Sequence, residues 1–232
     1  MRFYVGTSGW SYSWNRERSL IWYLENTPFN TVELNASFYR FPYKSYIKSW
    51  KMIAEQGIRF SIKAHRLITH TYHFDERSFD VWDKIKRTFE VLDEHIYFYL
   101  FQLPPSFKPD KKHIERIKRF VEYTKIGKRF ALEFRNNLWF NNDLLKDFED
   151  ITLVSVSAPK LPEIIFHNNK TVYMRFHGRV NWNKYTYSKD ELMEIYHKIK
   201  NLDNEVEEAY LYFNNDTGMF DNAIMMSKIC GL

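Results

Sequence analysis

The sequence predicts a single α/β domain over residues 1–232, a (β/α)8 TIM-like barrel with some irregular or shortened helices. Three observations predict it. Short apolar runs rich in β-branched and aromatic residues recur along the whole chain. Longer amphipathic segments separate them, which is the alternation of a parallel sheet covered by helices. Several of the runs also finish with two polar residues at i and i+2, at the strand ends where barrel enzymes carry their sites.

The elements follow in order. The first run is Phe3–Thr7, then Thr31–Asn35. An amphipathic segment over Tyr43–Gln56 ends at Gly57, where a helix C-cap favours glycine. The third run, Arg59–His65, is followed by the helical pattern Phe79–Leu92 and the fourth run, Ile96–Gln102. The helical pattern Lys111–Tyr123 leads to Gly127 and the run Phe130–Arg135. Thr152–Ser157, Thr171–His177, a helix over Lys189–Asn201 and Ala209–Asn214 complete the series. The stretch Gly57–His65 echoes Gly127–Arg135: each has a glycine, an Arg-Phe start and polar residues two apart. A doubly wound open sheet is the main competitor, but Gly6-Thr7-Ser8-Gly9 is not its glycine-rich phosphate turn.

Composition sets the outer limits. The 232 residues carry 34 Lys+Arg against 29 Asp+Glu, a net charge of +5, with 19% aromatics. A disordered chain, a collagen-like repeat and a disulfide scaffold are excluded. The one cysteine, Cys230, cannot form an intrachain disulfide, which fits a cytoplasmic location. Met1–Gly6 reads as a strand rather than a signal peptide, and no apolar run nears the ~20 residues of a membrane helix. The basic balance permits an anionic partner without requiring one.

The polar strand endings are Glu33 and Asn35, Lys63 and His65, Glu133 and Arg135, Arg175 and His177, and Asn214 and Asp216; Gln102 ends the fourth run alike. Residues two apart share a face of a strand. Charged residues turned toward the helices would be buried without water, so the interior mouth is their expected direction. A purely structural role for any one pair is the competing reading, with Glu33, Glu133, Arg135 and Arg175 as a buried ion-pair network.

The sequence resembles the domain-of-unknown-function 72 (YecE-like) family over nearly its whole length. The matching pieces include Gly6-Thr7-Ser8-Gly9-Trp10-Ser11-Tyr12, Thr31–Arg40, Lys63-Ala64-His65 with Ile68-Thr69-His70, Gln102-Leu103-Pro104-Pro105, Leu132-Glu133-Phe134-Arg135, Tyr173–Gly178 and Phe213-Asn214-Asn215-Asp216. The resemblance implies a TIM-barrel-like fold and no secure activity. One departure stands out. In Val156-Ser157-Ala158-Pro159, Ser157 occupies a place where the family usually carries an acidic residue, which weakens a mechanism or a metal site that draws on that carboxylate.

The expected function is binding, and hydrolysis, of a phosphate-containing substrate such as a nucleotide or nucleic acid. Glu33, His65, Glu133, His177 and Asp216 are the candidate catalytic residues. Lys63, Arg135 and Arg175 supply positive charge for phosphoryl oxygens, with Asn35, Gln102 and Asn214 as polar contacts. Trp10, Tyr12 and Tyr39 follow the first two strands and offer rings for stacking, or a packed lid over the barrel. No cofactor is expected. His65, His177, Glu33, Glu133 and Asp216 are acceptable ligand types for a divalent metal, but the neighbouring cations oppose one, so no metal ligand is assigned. Two alternatives stand beside this reading: a sugar-active hydrolase using Glu33 and Glu133, and a noncatalytic module that binds an anion or nucleic acid. Membrane association is not expected, and the sequence does not fix the oligomeric state.

Overall fold

The computed structural model describes residues 1–202 and 204–232. Eight parallel strands form one sheet: β1 (Arg2–Thr7), β2 (Thr31–Leu34), β3 (Arg59–Lys63), β4 (Ile96–Gln102), β5 (Phe130–Glu133), β6 (Thr152–Ser157), β7 (Thr171–Phe176) and β8 (Glu208–Phe213). Their order is β1-β8-β7-β6-β5-β4-β3-β2. The helices are α1 (Leu20–Asn26), α2 (Lys44–Ala54), α3 (Arg77–Phe89), α4 (Lys111–Thr124), α5 (Asn142–Lys146), α6 (Lys189–Lys200) and α7 (Met219–Cys230). The chain is a (β/α)8 TIM-like barrel.

The expected irregularity of the helix layer is concentrated after β5. Helix α5 has only five residues. Between β6 and β7 the described residues form no α-helix, only a 3-10 turn at Asn168–Lys170. There the chain runs past the strand, and the Phe166 backbone N–H donates to Ser155 Oγ at 2.8 Å. Helix ends also differ from the glycine pattern. Gly57 follows α2 with φ +108, but α4 is closed by Lys125 in the left-handed region, and Gly127 starts the next 3-10 turn.

β1 and β2 stand at the two ends of the hydrogen-bonded order, and side chains stitch the seam between them. Asn30 Oδ1 accepts from the Val5 N–H at 2.8 Å, and its amide nitrogen donates to Phe3 O at 3.0 Å. The Tyr23 hydroxyl accepts from the Thr7 N–H and donates to Thr31 O, both at 3.0 Å. Gly6 is required here, because a Cβ on it would lie 2.0 Å from Thr31 O.

Alternation along the strands separates two cores. Phe3, Val5, Val32, Leu34, Phe60, Ile62, Phe101, Leu132 and Met174 pack in the large cluster with the helices. Tyr4, Phe98, Leu100, Ala131, Val154, Val156, Tyr173, Tyr210 and Tyr212 form the separate cluster within the barrel. At the strands' N-terminal end the Arg59 guanidinium lies 3.9 Å from the Tyr4 and Tyr97 ring centres and pairs with Glu208 at 3.0 Å. Higher up, Tyr212 shares a 2.7 Å hydrogen bond with Thr31 Oγ1, and Tyr173 one of 2.6 Å with Ser61 Oγ. This layer of hydroxyls is the floor on which the polar mouth is built.

Candidate functional site

The strand ends bring eight of the expected residues into one network. Arg175, on β7, is its centre. One Nη donates to Glu33 Oε1 at 2.7 Å and the other to Glu133 Oε2 at 2.5 Å. Tyr173 OH donates to the second Glu33 oxygen at 2.7 Å. Arg135 Nε donates to the second Glu133 oxygen. Lys63 donates to Gln102 Oε1 at 2.7 Å, and Arg135 Nη2 approaches the same oxygen at 3.4 Å. His177 Nε2 faces Arg135 Nη2 at 2.9 Å and Arg175 Nη1 at 3.2 Å, while Asn214 lies 3.2 Å from its Nδ1. Asn214 is held in turn by Ser8 Oγ at 2.5 Å.

The network is graded from buried to accessible. The side chains of Glu33, Glu133 and Arg175 are fully buried, and that of His177 is 1% exposed. Arg135 is 10% exposed, and Lys63, Gln102 and Asn214 are half-buried. The surface offered to solvent is therefore cationic and amide, and the carboxylates lie beneath it.

Electrostatics follow from this layering. Burial alone would raise the Glu133 carboxyl, but Arg135 and Arg175 outweigh it and bring it below the usual range. Burial opposes the charge on Arg175, yet Glu133 and Glu33 hold its guanidinium more firmly protonated than usual. Burial, helped by Arg175, brings the Lys63 ammonium down to about 7. Burial and the Arg135, Arg175 and Lys63 charges push the His177 imidazolium well below the ordinary histidine range. His177 is thus neutral and acts as an acceptor at Nε2.

This arrangement limits what the carboxylates can do. Each gives an oxygen to Arg175, and Glu133 gives its other oxygen to Arg135. Neither is set up as the protonated general acid that glycoside hydrolysis requires. Nor do the described residues gather three or more His, Cys, Asp or Glu side chains at a point that would hold a metal ion.

The remaining expected residues lie elsewhere. β3 ends at Lys63, so His65 lies beyond the pleat. Its ring stacks on Phe41 at 4.8 Å, and its Nδ1 accepts from the Leu67 N–H at 3.3 Å. β8 ends at Phe213, and Asp216 is exposed with φ +40, bridging Lys184 through the backbone rather than joining His177. Asn215, not Asp216, is the buried member there, and its amide donates to Tyr185 O at 2.7 Å. Ser157 faces away from the ionic network, sharing a 2.9 Å hydrogen bond with Tyr187 OH.

Trp10, Tyr12, Asn35 and Tyr39 line a separate cleft of about 780 Å³ beside the mouth. Its walls are the segments after β1 and β2 together with part of α2, and Ser8 joins it to the network through Asn214.

The candidate site residues read from the sequence leave out two contributors. Trp182 lies under the Arg135 guanidinium at 4.5 Å and beside the His177 ring at 5.5 Å. His70 sits on a π-helical turn, Leu67–Thr71, against the Phe38 ring at 4.9 Å. Burial and the Lys63 charge lower His70 to about 4. No i, i+2 spacing marks either residue, since both come from the loops after the strands.

A family model described as "Protein of unknown function DUF72" matches residues 4–229. The chain belongs to the DUF72 family. A DUF72 family protein from Thermotoga maritima MSB8 is 25% identical, with a TM-score of 0.88 over 100% of both chains. One from Enterococcus faecalis V583 is 20% identical, with a TM-score of 0.86 over 99% of this chain and 96% of that one. The UPF0759 protein YunF of Bacillus subtilis (strain 168) is 26% identical over 228 residues, 82% of this chain and 78% of YunF. The DUF72 resemblance expected from the motifs is thus established, and no helix among the described residues is long and apolar enough to cross a membrane.

Proposed function

We propose that the barrel mouth binds the phosphoryl group of a phosphate-containing substrate and hydrolyses its ester. The observation that carries this reading is the layering of charge: Lys63 and Arg135 are the partly exposed cations of the mouth, while Glu33 and Glu133 are sealed below. A phosphoryl group entering the mouth meets cations and amides first, and the buried carboxylates are already paired with Arg175 and Arg135.

In this reading Arg135 holds the non-bridging oxygens, with Gln102 and Asn214 orienting them. Lys63 is the mouth group that changes charge near neutrality. In its neutral form it takes a proton from an attacking water as the new P–O bond forms and the ester P–O bond breaks. The leaving alkoxide takes its proton from solvent. Glu33, Glu133, Arg175 and His177 are positioning residues that fix Arg135.

The test is calorimetric titration with inorganic phosphate, paired with phosphate release from a panel of phosphomonoesters and phosphodiesters. Arg135→Ala is expected to lose both binding and release, and Lys63→Met to lose release. Binding lost in Arg135→Ala with no turnover from any ester leaves a noncatalytic anion-binding module. Phosphate affinity unchanged in Arg135→Ala overturns the reading.

A further inference from the structure

The cleft beside the mouth is built unlike the mouth. Trp10, Trp50, Tyr46 and Tyr43 form a continuous wall, with ring centres 5.4, 6.3 and 5.9 Å apart in that order. Much of it is bare: Tyr43 is 74% exposed, Tyr46 55%, and Tyr39 on the same cleft 70%. Rings left in water along a concave surface are poorly explained by packing alone.

The polar lining is one-sided. Arg18 and Arg40 line the cleft, and none of its lining residues is Asp or Glu. Both arginines are exposed, and neither guanidinium has a partner among the described residues. Asn35 also lines the cleft, and its Oδ1 is shielded from water with no hydrogen-bond partner. That oxygen is out of reach from the cleft as well as from water, so recognition there falls to the bare rings and the two arginines. A sugar site would be expected to offer carboxylates to ring hydroxyls. A flat ring with an attached anion matches both the bare rings and the unpartnered arginines.

We propose that this cleft binds a nucleoside monophosphate unit. The base lies on the Tyr43, Tyr46 and Trp50 wall, while Arg18 and Arg40 take phosphate oxygens. The proposal deepens the phosphate reading of the mouth and rests on it for the substrate class. It places the base and its own phosphate in the cleft, and a second, reacting phosphoryl group across Ser8 at the mouth.

Calorimetric titrations with 5′-AMP, adenosine, inorganic phosphate and the oligonucleotide dA4 test it. AMP is expected to bind at least tenfold tighter than inorganic phosphate or adenosine. Tyr46→Ala and Tyr43→Ala, both at exposed positions, are expected to weaken AMP tenfold or more and leave inorganic phosphate unchanged. Tighter binding of dA4 than AMP identifies the end of a single strand as the source of the unit, and the reverse identifies a free nucleotide; both uphold the proposal. AMP binding no tighter than inorganic phosphate, or unchanged in both tyrosine variants, overturns it. Failure of the mouth reading is seen separately, as inorganic phosphate binding that survives Arg135→Ala when Arg18→Ala and Arg40→Ala are also in place.

Discussion

Arg135 Nη2 stands 2.9 Å from Nε2 of His177, and a guanidinium cannot accept a hydrogen bond, so the imidazole must present its lone pair there. The proton of the neutral ring then sits on Nδ1. Nitrogen-15 NMR of the imidazole is expected to show one neutral tautomer from alkaline pH to well below the ordinary histidine midpoint of ~6.5. An ordinary midpoint would break the assignment.

The same histidine makes the fold acid-sensitive. His177 in the unfolded chain takes up a proton near ~6.5, whereas the folded one resists it. The unfolded state binds more protons below that point, so stability falls as pH drops through and below it. His177→Gln is expected to flatten this part of the curve in urea melts at stepped pH.

Lys63 acts at the opposite side of neutrality. Its folded value of about 7 lies below the ordinary lysine value, so between the two the unfolded chain holds the extra proton. Stability is expected to rise with pH through that window as the folded state sheds its buried charge. Lys63→Met should remove the rise. In the proposed hydrolysis, the rate should climb through about 7 in the wild type.

Arg175 is the counter-charge for two buried carboxylates. Arg175→Met leaves Glu33 without an ionic partner and is expected to cost about 3–5 kcal/mol in chemical denaturation. Adding Glu33→Gln should recover part of that loss. Additive losses in the double variant would contradict the pairing.

Gly6→Ala tests the seam. The new Cβ meets backbone at 2.0 Å, not a flexible side-chain tip. The cost is expected to exceed the ~1–3 kcal/mol of ordinary overpacking, read as a lower denaturation midpoint.

Much of this was legible in residue order. The i, i+2 spacing marks Glu33, Lys63, Glu133, Arg135, Arg175, His177 and Asn214, and the lone strand end Gln102 joins them, because each lies on a strand or within two residues of its end, where the pleat still sets direction. It does not bring Asn35, His65 or Asp216 into the network, because there the chain has already turned into a 3-10 turn, a π-helical entry and a left-handed residue. Trp182 and His70 were out of reach for the same reason: loop placement depends on long-range packing, not on period. The depth of the carboxylates was also hidden, since the alternation gives a side chain's face but not its height in the barrel.

The seam between β1 and β2 is held by Asn30 and Tyr23 instead of a regular ladder, and the cleft walls grow from the segments after those same two strands. A molecule lodged there spans the place where the cylinder is sewn shut. Occupancy and closure are then linked equilibria: ligand at a hundred times its dissociation constant adds about 2.7 kcal/mol against opening. Slower exchange of the Val5 and Thr7 amide hydrogens would serve as a gauge of loading, independent of any turnover.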